Sequence, residues 1–140
     1  VFLQNIATDL LLGLGMEDLL GEFANYLSEK YQIRAGYITM NQVKLCDALR
    51  RLEMKTPLIC SPINSIGFRM NPSKSSVEES LSSGFGTNIA MSIMASGAVS
   101  PKQAVDYLKG LKGVDSVLFG ASTKGHITES MRMFQGIWGD

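Results

Sequence analysis

Two short stretches have the residue types and spacing to hold a ligand: "ASG" at Ala95–Gly97 and "GASTKGH" at Gly120–His126. Each follows an apolar run and precedes a stretch with helical periodicity. Small residues at such a corner let the backbone approach a ligand closely, and the N–H groups that open a helix attract an anion. Ser96, Gly97, Gly120, Ala121, Ser122 and Thr123 are therefore the expected cradle for a phosphate. Lys124 would supply a cation. His126, the sole histidine, falls in the first turn of the last helix and would hydrogen-bond the same group. These residue types also serve as plain turn and cap chemistry, and spacing alone does not separate the two uses.

The remaining polar residues form no catalytic set. Asn5, Thr8, Thr39, Asn41, Ser61 and Asn64 sit at other strand ends, and Asp9 follows the first of them. Arg69 and Lys74 flank "MNPS" and read as solvated charges. There is no lysine base, carboxylate pair or supported Cys–His arrangement. No dinucleotide or phosphate-loop glycine motif follows a strand. Cys46 and Cys60, with one histidine, are too few soft ligands for a metal site, and the eight methionines read as core filler. Two buried, reduced thiols are expected, which fits a cytoplasmic setting.

The elements that must position these corners alternate. "VFLQNI" (Val1–Ile6) reads as a strand, and the assignment between it and Gly15 stays open. Met16–Tyr31 reads as a helix with Met16, Leu19, Leu20, Phe23, Ala24 and Leu27 on one apolar stripe. Ala35–Asn41 is a β-branched and aromatic strand, and Asn41 caps a helix that buries Leu45, Ala48, Leu49 and Leu52. Thr56–Asn64 is the third strand. Ser76 and Glu79 have capping-box spacing at the start of a helix over Ser76–Ser82. Thr87–Gly97 is the fourth strand and its exit. Ser100, Pro101 and Gln103 mark the next helix start. Val114–Gly120 is the fifth strand, and a last helix from Lys124 buries Ile127, Met131 and Phe134.

Five strands alternating with five helices imply an α/β domain over residues 1–140, with parallel strands and right-handed crossovers. An open doubly wound sheet and consecutive units of a (β/α)8 barrel both fit. In either, the loops after the strands share one edge, and that edge carries ligands. The composition is that of an ordinary globular chain: 45% hydrophobic, 19% charged, with 13 basic and 13 acidic residues. Zero net charge argues against a broad nucleic-acid or anionic-membrane surface. No apolar run reaches the roughly 20 residues of a membrane helix, and no basic region precedes an apolar one as in a signal peptide. Val1 in place of methionine suggests a piece of a longer chain.

The segment "NIAMSIMASGAVSPKQAVDYLKGLKGVDSVLFGASTKGHITESM" (Asn88–Met131) resembles the end of an aldo-keto reductase-like barrel. In that resemblance "SGAVS" closes strand seven, "SVLFGAST" is strand eight, and "VFLQNI", "GYITMN" and "LICSPIN" are strands four to six. "IGFRMNPS" after strand six is similar to the loop of uncharacterised archaeal barrels of this type. The resemblance implies an incomplete TIM-type barrel and a nucleotide cofactor, NAD(P), with its phosphate near the last two loops. The Lys-Ser and Arg with which such reductases grip an adenosine phosphate fall at Gly120, Ala121 and His126, so a backbone cradle without a cationic clamp is implied. The catalytic residues of the reductases lie on strands this chain lacks or does not match, so no reductase activity is expected of it alone. Five units cannot close an eight-stranded barrel, and the exposed edges imply a homo-oligomer or association with the rest of a barrel. A complete small open-sheet module that binds a phosphate-bearing metabolite is the rival reading, and a scaffold without ligand the third.

Overall fold

The computed structural model describes residues 1–121 and 123–138. Five strands, β1 (Phe2–Leu3), β2 (Gly36–Ile38), β3 (Leu58–Pro62), β4 (Thr87–Met91) and β5 (Ser116–Val117), form one open sheet in chain order. Every neighbouring pair is parallel, with Tyr37 opposite Ile59 and Ile59 opposite Asn88. Between the strands run α1 (Asn5–Leu14), α2 (Asp18–Tyr31), α3 (Gln42–Arg51), α4 (Lys74–Ser82) and α5 (Pro101–Lys109), and α6 (Lys124–Trp138) follows β5. The fold is thus the alternating α/β arrangement expected from the sequence.

Right-handed crossovers between strands that are neighbours in chain order put every helix on the same face. The packing agrees. Tyr37 and Ile59 join Leu12, Leu20, Leu45 and Leu49 in one apolar cluster under α1–α3. Ala90 and Val117 pack with Val77, Leu81, Leu108 and Phe134 in a second cluster under α4–α6. Alternate strand residues point the other way. Among the described residues Ile38, Leu58, Cys60, Ile89 and Met91 belong to neither cluster.

Several elements begin elsewhere than the sequence suggests. Only Phe2 and Leu3 of "VFLQNI" pair, because Asn5 already opens α1, a helix through the unassigned stretch. Its sequence, NIATDLLLGL, is apolar nearly all round, so it shows no stripe. Helix α4 is capped by Ser73, whose Oγ accepts from the Ser76 amide; Ser76 itself lies inside the helix. Strand β4 ends at Met91, and Ala95–Gly97 forms a single 3-10 turn. On α2 Leu20 and Leu27 are buried while Met16 and Leu19 are exposed, and on α6 Phe134 is buried while Ile127 and Met131 are exposed. The α5 start is as expected: Ser100 and Gln103 form a reciprocal capping box with Pro101 at the first position.

Several buried polar groups tie the elements together through hydrogen bonds, although the buried Ser80 hydroxyl finds no such partner among the described residues. Tyr37 Oη donates to the Leu20 carbonyl at 2.7 Å and ties β2 to α2. Gln42, the first residue of α3, reaches into the sheet: it accepts from Ser61 Oγ, and its Nε2 donates to Asn88 Oδ1 at 3.3 Å. All three side chains are fully buried. A Cβ at Gly113 (φ 80°) would stand 2.1 Å from the Leu81 carbonyl oxygen, so the turn into β5 admits only glycine.

Removing the Gln42 amide leaves Ser61 and Asn88 buried without it. Gln42→Ala is expected to cost about 2–4 kcal/mol in urea unfolding. Lys44→Ala, an exposed change on the same helix, is expected to stay within about 0.5 kcal/mol. Equal effects from the two would show that the buried amide does not hold α3 to the sheet.

Candidate functional site

The two small-residue corners meet. Gly97 and Gly120 follow β4 and β5, which run side by side in the same direction, so both lie at the edge where the strands end. A cleft of about 540 Å³ opens between them, and Ser96, Gly97 and Gly120 form part of its wall. Apart from Ser92 the rest is apolar and includes Met91, Ile93, Met94, Leu118 and Phe119. A second cleft of about 350 Å³ adjoins it through Met94 and Gly120. Ala121, His126, Glu129 and Ser130 line this one, together with Pro101 and Met133.

The first corner is tightly wound. Ser92, Ala95 and Ser96 all have positive φ (52°, 46° and 58°), as does Gly97 (96°). Left-handed non-glycine residues cost of order 1–3 kcal/mol each and persist only where packing enforces them. Here the turn closes on itself. The Ala95 amide donates to Ser92 O at 2.8 Å, that of Gly97 to Met94 O at 2.8 Å, and that of Val99 to Met94 O at 3.1 Å. The Gly97 amide is thus spent inside the turn, so Gly97 contributes shape to the cleft rather than an anion-binding donor.

The second corner is different. Thr123 caps α6: its Oγ1 accepts from the His126 amide at 3.2 Å, and its carbonyl accepts from Ile127 at 3.0 Å. The positive end of a 15-residue helix therefore meets the cleft through Ala121 and His126. Lys124 is the first residue of α6 and is exposed, but it lines neither cleft. Ser122 lies outside the described residues. The Glu129 carboxylate, one turn along α6, faces the same space as His126.

The other polar residues singled out in the sequence divide between structure and a separate rim. Thr8 is buried, with Oγ1 donating to Leu3 O at 3.4 Å. Asp9 accepts from Thr39 Oγ1 at 2.5 Å and from the Met40 amide at 3.0 Å, which fastens α1 to the end of β2. Asn41 caps α3 through the Lys44 amide at 3.1 Å. Asn64 is buried and braces its own loop by bonds in both directions with the Phe68 backbone. Lys74 is held by Ser65 O at 2.8 Å and lies over the Tyr107 ring, while the Arg69 guanidinium stacks on Phe68. These charges brace the loop and do not close over the clefts. Sequence reasoning missed the apolar walls, Met91, Met94, Leu118 and Phe119, because apolar residues at strand ends read as core. It also missed Glu129, whose one signal is its place three residues beyond His126.

Cys46 and Cys60 are free and buried. Burial pushes the Cys60 thiol up to about 11, and Cys46 is likewise raised, chiefly by burial. Among the described residues no three His, Cys, Asp or Glu groups converge as a metal site would need. No described helix is long and apolar enough to cross a membrane.

A raised thiol pKa means that the folded state holds the proton more tightly than the unfolded state. The contribution is intact below the ordinary value of 9.0 and is lost as pH rises toward about 11. Both thiols are expected to resist a disulfide reagent at pH 8 and to react fully in denaturing urea. Stability should fall with alkalinity over that window, less steeply in Cys60→Ala. Rapid labelling of the folded protein would show that the thiols are accessible.

Comparison of the chain with protein-family profiles, curated proteins and solved structures found no match.

Proposed function

We propose that the chain is a segment of a (β/α)8-type barrel, equivalent to strands four to eight, that binds a phosphate-bearing small molecule of nucleotide type over the ends of β4 and β5. One observation carries this reading: an apolar cleft and a mixed one that carries His126, Glu129 and Ser130, sharing Met94 and Gly120, adjoin on the edge where parallel strands end. Ligands of parallel α/β sheets bind at that edge. The phosphate would sit against the α6 N-terminus near Ala121 and His126, with Lys124 adding long-range attraction. Glu129 would accept from a sugar hydroxyl. A flat, weakly polar ring would lie between Met91, Met94, Leu118 and Phe119. The resemblance of Asn88–Met131 to reductase-like barrels makes NAD(P) the first compound to try. The chain alone is read as a binding element without turnover.

Inorganic phosphate, a sugar phosphate, NADH and NADPH should be compared by thermal shift and calorimetric titration. The nucleotides are expected to raise the midpoint, by the mass-action term RT ln(1 + [L]/Kd), more than phosphate does. Lys124→Glu places a carboxylate in the first turn of α6, which favours the helix while repelling the anion. It should leave the fold intact and weaken nucleotide binding about tenfold, the factor that corresponds to ~1.4 kcal/mol. No shift with any of the four compounds, or equal affinity in Lys124→Glu, would sink the proposal.

A further inference from the structure

A third cleft, of about 470 Å³, lies apart from the two at β4 and β5 and shares no lining residue with them. Its volume is within the ~300–1,000 Å³ of small-molecule sites. Three successive strand exits converge on it. Asp9 comes from α1, which follows β1; Met40, Asn41 and Lys44 follow β2; and Asn71 and Pro72 belong to the loop after β3. It therefore stands on the edge where parallel α/β sheets take their ligands.

The fold uses only part of the bonding capacity gathered here. Asp9 Oδ1 accepts from Thr39 Oγ1 at 2.5 Å and Oδ2 from the Met40 amide at 3.0 Å, one bond to each oxygen. A carboxylate oxygen can accept two. Asn41 Oδ1 accepts from the Lys44 amide at 3.1 Å, and Asn71 Nδ2 donates to the Met40 carbonyl at 3.0 Å. Among the described residues no bond occupies Asn41 Nδ2, Asn71 Oδ1 or Lys44 Nζ. Two acceptors are thus left, Asp9 and Asn71 Oδ1, and two donors, Asn41 Nδ2 and the Lys44 ammonium. Asp9 and Lys44 bring opposite charges to one cleft, yet no ion pair joins them. Arg51 and Glu17 pair directly at 2.7 Å, and Arg50 and Asp47 at 3.1 Å.

The geometry points to a second binding site, one for a small zwitterion of α-amino-acid type. Its carboxylate meets the Lys44 ammonium and Asn41 Nδ2, and its ammonium meets Asp9 and Asn71 Oδ1. These are charge-assisted bonds, the stronger kind. A short apolar side chain lies against Met40 and Pro72. An anion alone would bring its charge to Asp9, and a cation alone would bring its charge to Lys44. A neutral polyol would fill the hydrogen bonds and leave both charges without a counter-charge. A ligand that carries both signs answers both.

The test is thermal shift and calorimetric titration with four probes: L-valine, N-acetyl-L-valine, which lacks the ammonium, L-valinamide, which lacks the carboxylate, and glycerol, which has neither. L-valine is expected to bind, and each of the other three at least about tenfold more weakly. Lys44→Ala, which leaves the fold intact, should weaken L-valine about tenfold and leave L-valinamide where it was, since the amide has no carboxylate to lose a partner. Lys124→Glu, at the other clefts, should not move L-valine. No binding of L-valine up to about 10 mM overturns the inference. So does N-acetyl-L-valine, L-valinamide or glycerol binding as tightly as L-valine, or an affinity unchanged in Lys44→Ala. Loss of L-valine binding in Lys124→Glu but not in Lys44→Ala would put the amino acid in the clefts at β4 and β5, and overturns it too. Nucleotide binding without L-valine binding would leave the proposed function standing while this inference fell.

Discussion

Parallel pairing in strict chain order is the constraint from which the rest of the molecule follows. In a sheet ordered β1 to β5, crossovers of the usual right hand all set their helices on the same side. They cover one face. Tyr37, Ile59, Ala90 and Val117 are buried under them, and the alternate residues face away from that layer. The same constraint brings the ends of all five strands to one edge. It is why two corners 23 residues apart in the sequence, Gly97 and Gly120, line one cleft. A doubly wound sheet would have reversed its order at some point and divided the helices between two faces.

The site at that edge is built from unequal halves. The turn after β4 spends the Ala95, Gly97 and Val99 amides on itself and holds Ser92, Ala95 and Ser96 in left-handed backbone, so its contribution is a tightly wound, mostly apolar wall. The corner after β5 presents a capped helix end and the side chains of His126 and Glu129. Shape comes from one strand exit and electrostatics from the next. The two thiols are buried and hold their protons more tightly than an exposed cysteine.

Much of the architecture was legible because local and tertiary signals agree. Ser100, Pro101 and Gln103 announce α5, and the structure adds nothing to that reading beyond the hydrogen bonds. Signals failed where several residues offered the same chemistry. "SKSS" contains three candidate caps, and only the path of the incoming loop selects Ser73. "VFLQNIATDLLLGLG" sets Gln4, Asn5, Thr8 and Asp9 irregularly among apolar residues, so neither a period of two nor one of 3.6 stands out, and the boundary between β1 and α1 was hidden. The exposure of Met16, Leu19, Ile127 and Met131 could not be read either. Periodicity says which residues share a helix face, but not whether anything lies against it. The cleft was half visible: its glycines and serines carried a signal, while Met94 and Phe119 looked like any other core residue.

The neighbour-by-neighbour pairing has a consequence for how the chain is made. Each strand needs only the one synthesised just before it, and no later segment must thread between earlier ones. The sheet can therefore grow by accretion at one side as the polypeptide leaves the ribosome, with Tyr37 locking onto Leu20 before β3 exists. Contacts of this kind span few residues, which keeps the loop-closure cost of each addition small. An order that lets assembly proceed vectorially also leaves the growing side sticky until the last unit arrives.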